Sequence, residues 1–368
     1  MATSPINQNF SLFPLERIAR NWFGIDDGNF DDSKLPLEIV KDVYVENVSK
    51  LIPHDEFDYC ESHLGSDTVK YLRSVSYAII HRFPNIEVDP ATGHYRLEQE
   101  LTTESRELVQ QITACLRLIR PTSEHAQFMG GRIESNGTLR HFNFDHPLTY
   151  VNSLPNQKLF AVRTSDLDDL RFYAPHFIQA FKDQRWKLIM AIDMFKSGFF
   201  QHAYWKLRFF MWTAALEALF TSHTSEQHRG SLVAKERIKS LLGPKTLIYP
   251  VGELSEYDTD PKHTVEDVID EIYCLRNHLA HGDMVPDYYF QTPGRIGING
   301  PYYKGETLAE ACSSIVRQCL LKILKDKLLP HFTNDVTASS YFSSLGLTKD
   351  ILTKAQKAAG IKPFKCPA

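Results

Sequence analysis

The spacing of apolar residues along the chain changes character near residue 175. Before it, short β-branched and aromatic runs such as DVYVENV (42–48) alternate with amphipathic helical segments. The clearest helix is TTESRELVQQITACLRLI (102–119), which opens on Thr/Ser and an acidic first turn. In QFMGGRIESNGTLRHFNF the pair Asn136-Gly137 separates two alternating runs. Asn-Gly suits the positive φ angles of a type I′ turn, so a β-hairpin is predicted there. After residue 175 the apolar period lengthens to that of helices. The pattern predicts helices near 177–200, 203–223, 230–242, 264–281 and 306–329, separated by Gly, Pro and polar breaks. The expected fold class is α+β: a mixed α/β domain over 1–175, an all-α helical bundle over 176–335 and a helical tail over 336–368. Neither an internal repeat nor a low-complexity tract is visible.

Composition narrows the class. The 368 residues are 43% hydrophobic and 23% charged, which suits a globular chain long enough for two cores. The N-terminal stretch MATSPINQNFSLFPLERIARNWF has no basic region followed by an apolar run, and no segment approaches the ~18 apolar residues of a membrane helix. A cytoplasmic protein without membrane contact is therefore expected. Six cysteines are scattered without a CxxC pair, which predicts reduced thiols and neither disulfides nor a structural zinc. The net charge of −4 hides an asymmetry. Residues 1–175 carry 25 acidic against 17 basic side chains, net −8, and the remainder carries 20 against 24, net +4. Such a difference favours a polyanionic partner for the C-terminal half, though unrelated domains also differ by this much.

Several motifs fail on geometry. HFNFDH (141–146) offers two His and an Asp, but along a strand His141 and Asp145 stand ~13 Å apart and His146 points to the opposite face. One metal ion cannot take all three, and no metal site is expected. GPKT (243–246) lacks the upstream glycine of a phosphate-binding loop and reads as a helix stop. No GxSxG, HExxH or GxGxxG occurs, which removes the commonest hydrolase, zinc-protease and dinucleotide readings.

The stretch TVEDVIDEIYCLRNHLAHG (264–282) is different. Thr264 and Asp267 form the ends of a capping box, and Gly282 stands where a left-handed residue closes a helix. Its apolar seam runs Val265, Ile269, Ile272, position 276 and Leu279, and position 276 is Arg. A guanidinium in such a seam needs a carboxylate or phosphate, because burying it alone costs several kcal/mol or more. Asn277 and His281 are four residues apart and share a face, towards which Arg276 can lean. His281 lies in the last turn, where the helix dipole favours imidazolium by ~0.3–1 kcal/mol. Cleavage of RNA by its own 2′-OH needs a proton acceptor, a cation for the dianionic phosphorane and an acid for the departing 5′-oxygen. An Arg and a His can supply these without a metal. Residues and spacing alone equally allow a His-rich helix end in which Arg276 pairs with a core carboxylate.

Arg276, Asn277 and His281 in the order R-N-x-x-x-H, followed by Gly on a late helix of an all-α domain, resemble the HEPN superfamily of nucleotide-binding and RNA-cleaving domains. RFFMWTAALEALF (208–220), an apolar run holding one acidic residue, resembles the second helix of the Apea-like HEPN branch. The resemblance spans roughly residues 175–330. It implies a HEPN helical bundle with metal-independent endoribonuclease activity and no cofactor. It further implies a homodimer with the two motifs meeting across the twofold axis, and a place in prokaryotic anti-phage defence or a toxin-like role. The expected partners are RNA, tRNA being one candidate, a second copy of the chain, and a regulatory or trigger protein. Arg276 would act on the phosphate, His281 in proton transfer and Asn277 in orientation.

Three further assignments stay open at this level. Glu217 either orients Arg276 or Asn277, or belongs to a solvated stripe with Lys206, Thr213 and Thr224. His278 supports the site or stands exposed, since a third metal ligand is lacking nearby. In MVPDYYFQTPGRIGINGPYYKGE (284–306), Tyr288, Tyr289, Arg295 and Lys304 could stack bases and hold phosphates of single-stranded RNA, or pack on one another. The competing function is a non-catalytic module that binds a nucleotide, RNA or a protein partner.

Overall fold

A computed structural model describes residues 8–15, 30–52, 75–84, 87–88, 95–96, 98–120, 128–133, 139–145, 162–200, 205–222, 230–248, 264–281 and 305–347, with single positions between 53 and 74. The chain divides into two compact units. The first comprises Met1–Val151 with Phe160–Ile178, the second Asn152–Leu159 with Gln179–Ala368.

The first unit is built on an antiparallel sheet of strands β1 (Gln8–Leu15), β2 (Leu37–Val40), β3 (Val43–Asn47), β4 (Tyr77–Phe83), β7 (Phe128–Ile133) and β8 (Leu139–Asp145), in the order β2-β3-β4-β1-β7-β8. Two short strands, β5 (Glu87–Val88) and β6 (Tyr95–Arg96), pair separately. Strand β1 is central, and Asn9 through Leu15 are all buried. The run is buried on both faces, including the polar Asn9 and Ser11, so it lacks the exposed and buried alternation that marks a half-buried strand. Pro14 is tolerated because the β1–β7 ladder ends at Leu12↔Met129, while only β4 continues alongside to Leu15↔Tyr77. The predicted hairpin is present as β7 and β8, joined in register at Ile133↔Leu139. Its turn, with Asn136-Gly137, lies outside the described residues.

Helix α1 (Glu98–Ile119) covers β1 and β4 with Leu101, Val109, Ile112, Cys115 and Leu116. Between them runs a buried polar chain. The Ser105 hydroxyl donates to Ser11 Oγ at 2.6 Å, and His81 Nδ1 lies 2.7 Å from Ser105 Oγ. Burial holds the His81 imidazole below its usual 6.5, with the Asp42 charge acting in the opposite direction. The unfolded chain therefore binds a proton near pH 6.5 that the folded chain refuses. Stability from this site is fully present above that pH and is lost as pH falls through 6.5 towards the lower folded value. His81→Asn is expected to flatten the pH dependence of the urea midpoint between pH 7.5 and 5.5, read on the full chain by circular dichroism.

The second unit is helical. After α2 (Thr164–Lys182), which holds residues of both units, come α3 (Trp186–Phe200), α4 (Trp205–Phe220), α5 (Gly230–Leu242), α6 (Val265–His281), α7 (Gly305–Lys325), a 3-10 turn (Leu329–Phe332) and α8 (Asp335–Ser344). Helix α4 is the hub and packs on α3, α5, α6 and α7. Trp212 is fully buried, and its indole donates to the Phe195 carbonyl at 3.1 Å. The segment read as a tail begins with a helix built into this core. Phe342 of α8 is fully buried against Phe220 and Phe332. The Arg237 guanidinium lies 5.2 Å from the Phe342 ring and donates to the Phe220 carbonyl at 2.6 Å.

The single helix expected over 177–200 is instead two. Gln184 is left-handed, at φ 52, the Arg185 N–H reaches Ala180 O, and the Gln184 N–H reaches Phe181 O. This is a Schellman stop with Gln in the position usually held by Gly, which is why the sequence hides it. Lys327, at φ 56, closes α7 in the same way.

The thiols of Cys115, Cys312 and Cys319 are free and buried, as expected. Cys274 departs from the expectation: it is disulfide-bonded. Cysteine spacing along the chain carries no record of an approach in space. Among the described residues no helix is long and apolar enough to cross a membrane.

Candidate active site

The site is assembled where α6 crosses α4. The start of α6 is fixed by the predicted capping box: Asp267 Oδ2 accepts from the Thr264 N–H at 2.7 Å, and Thr264 Oγ1 lies 3.4 Å from the Asp267 nitrogen. Val265, Val268, Ile269, Ile272, Tyr273 and Leu275 are buried, which sets the rotation of the helix. Three turns from the start, that rotation brings Arg276 to the rim of the core, where its side chain is 24% exposed.

Arg276 finds a carboxylate there. Its Nη2 donates to Glu217 Oε2 of α4 at 2.8 Å, and its Nη1 donates to Asn277 Oδ1 at 3.3 Å. Charge-assisted contacts at both ends of the guanidinium fix its plane. Glu217 is equally shielded, at 25%. Behind the pair lies an apolar wall. Burial first, and the Glu217 charge second, hold the Tyr273 phenol well above its usual range; burial, then Cys319 and Glu217, do the same to the Cys312 thiol. Neither group is a proton acceptor at neutral pH.

The solvated stripe offered for Glu217 does not exist as read, because Thr213 is buried and 1% exposed; Thr224 lies outside the described residues. Around the helix, buried side chains of α4 take one half-turn and the outward face carries Lys206, Leu207, Phe210, Met211, Ala214, Glu217 and Ala218, its two charges in line at one edge. The rest of that face is apolar. Leu207 and Phe210 are exposed. A helix apolar all round is ordinarily enclosed all round.

The remaining predicted residues are less closely joined. Asn277 and His278 are half-buried, and His281 is exposed at the end of α6. Both ring nitrogens of His278 are buried with no hydrogen-bond partner among the described residues. No hydrogen bond among the described residues links His281 to Arg276 or Asn277. Tyr288, Tyr289, Arg295, Lys304 and Gly282 lie outside the described residues. Among those described, no group of three His, Cys, Asp or Glu could hold a metal ion; His141 and Asp145 lie on β8. Comparison with protein-family models, curated proteins and solved structures finds no match.

Proposed function

We propose that the helical unit is a metal-independent endoribonuclease of HEPN type, acting as a homodimer, in anti-phage defence or a toxin-like role. The observation that carries this reading is the Glu217–Arg276–Asn277 arrangement: a guanidinium fixed by a carboxylate and an amide at the edge of the core. A fixed guanidinium is suited to the equatorial oxygens of a phosphorane, where negative charge builds as the 2′-oxygen attacks. His281, at the exposed helix end, takes the proton role. The 2′-oxygen bonds to phosphorus, its proton passes to a base, and the 5′-oxygen leaves with a proton, producing a 2′,3′-cyclic phosphate. The apolar outward face of α4, which carries Glu217 itself, supports association of two copies next to the paired motifs.

A second reading, a non-catalytic module binding nucleotide, RNA or a protein, is favoured by His281 standing apart from Arg276 within one chain. Incubation of the full chain with labelled tRNA and with a structured single-stranded RNA in excess EDTA separates the two. Cleavage ending in cyclic phosphate, lost in His281→Ala, is the expected result. Tight RNA or nucleotide binding without cleavage would move the assignment to the binding module.

A further inference from the structure

The first unit holds an open groove of about 590 Å³, lined by Glu38, Ile39, Val40 and Lys41 on one side and by Asp168, Arg171 and Phe172 on the other. One wall is β2, the last strand in the sheet order. Its edge away from β3 has no ladder partner among the described residues, so backbone donors and acceptors remain there. The strand is irregular at this point. Its register steps from Glu38↔Tyr44 to Val40↔Val43, a bulge at Ile39 that bends the strand. The other wall is α2, whose residues 168, 171 and 172 stand at i, i+3 and i+4 and share a face.

Two carboxylates and two cations line this groove, and they differ in their contacts. Asp168 is engaged by Lys34 Nζ at 3.8 Å, and Glu38 Oε1 accepts from the Asp42 N–H at 3.3 Å. Lys41 and Arg171 have neither an ion pair nor a hydrogen bond among the described residues, and both are exposed. The groove therefore presents two cations without a partner among the described residues, beside two carboxylates that keep their charge but already have a local contact each. Phe172, 50% exposed, adds an apolar shelf, braced edge-on by Tyr173 at 5.0 Å and His176 at 5.8 Å.

We propose that this groove binds an extended acidic peptide segment of a partner protein, which pairs with the free edge of β2, places carboxylates on Lys41 and Arg171 and rests an apolar side chain on Phe172. Strand addition supplies backbone hydrogen bonds, and the two-residue repeat of the added strand lets acidic and apolar side chains alternate. The inference concerns the first unit alone and is independent of the ribonuclease reading.

The full chain is tested against an immobilised array of nine-residue peptides alternating Glu or Asp with Val, Ile, Leu or Phe, beside the same peptides with Lys for the acids. The best binder is then titrated in solution by fluorescence anisotropy. Acidic members are expected to bind and Lys members not. N-methylation of alternate backbone nitrogens on the strand-pairing side, tried in both phases, should weaken one phase by about tenfold or more. The double variant Lys41→Glu with Arg171→Glu should lose a similar factor. Its thermal unfolding should not change, because both side chains are exposed and unpaired. The proposal is overturned if no array member binds, if both N-methylated phases bind as tightly as the parent, or if the double variant binds normally. Loss of binding to a uridine oligonucleotide in that variant, with no peptide bound by the parent, would instead make the groove a nucleic-acid site.

Discussion

On the proposed ribonuclease reading, Arg276→Ala is expected to lose RNA cleavage by about 10²-fold or more while the chain stays folded. The first half follows from chemistry, since one cation removed from a developing oxyanion commonly costs that factor. The second follows from the surroundings of the pair. Both side chains are about a quarter exposed, so water reaches Glu217 once its partner is gone and the loss of stability stays at about 1–3 kcal/mol. Arg276→Lys separates charge from shape. An ammonium can meet Glu217 or Asn277 but cannot hold both ends as the guanidinium fork does, so the cleavage defect should persist. Gel-resolved cleavage rates beside urea midpoints decide the matter. Wild-type rates in Arg276→Ala would remove this site from the reaction.

On the proposed dimer reading, Phe210→Glu is expected to leave a monomer with little activity. Phe210 sits 40% exposed on the outward face of α4, two turns from Glu217. If two copies meet there, the substitution buries a carboxylate in each partner, which weakens association by several kcal/mol or about 10²-fold in affinity at the least. Light scattering coupled to size exclusion should show half the native mass, and Leu207→Glu should repeat the effect from the next position on that face. Unchanged mass in both variants would place any dimer contact elsewhere.

Local rules carried the reading of individual elements far. Helix α5 begins and ends where its polar and Gly breaks predicted, at 230 and 242. The capping box at Thr264 and the pairing of β7 with β8 likewise rest on neighbours in sequence. What stayed hidden depends on approach in space or on an unusual residue in a standard turn. The break at Gln184 lacks its glycine. Strand β1 shows no alternation because its neighbours cover both sides. Arg276 in an apolar seam announced that a partner was needed, but not which one: Glu217 lies 59 residues earlier, and only helix crossing brings the two within 2.8 Å. The bonded Cys274 was hidden for the same reason.

The outward face of α4 has a consequence for how much of the protein a cell needs. Leu207 and Phe210 are exposed and Met211 and Ala214 half-buried in a lone chain, and the proposed association of two copies would dry them. If the proposed ribonuclease acts only as that dimer, dilution pulls copies apart by mass action, and specific activity should rise with the protein's own abundance. A few molecules would be nearly silent where many would cut.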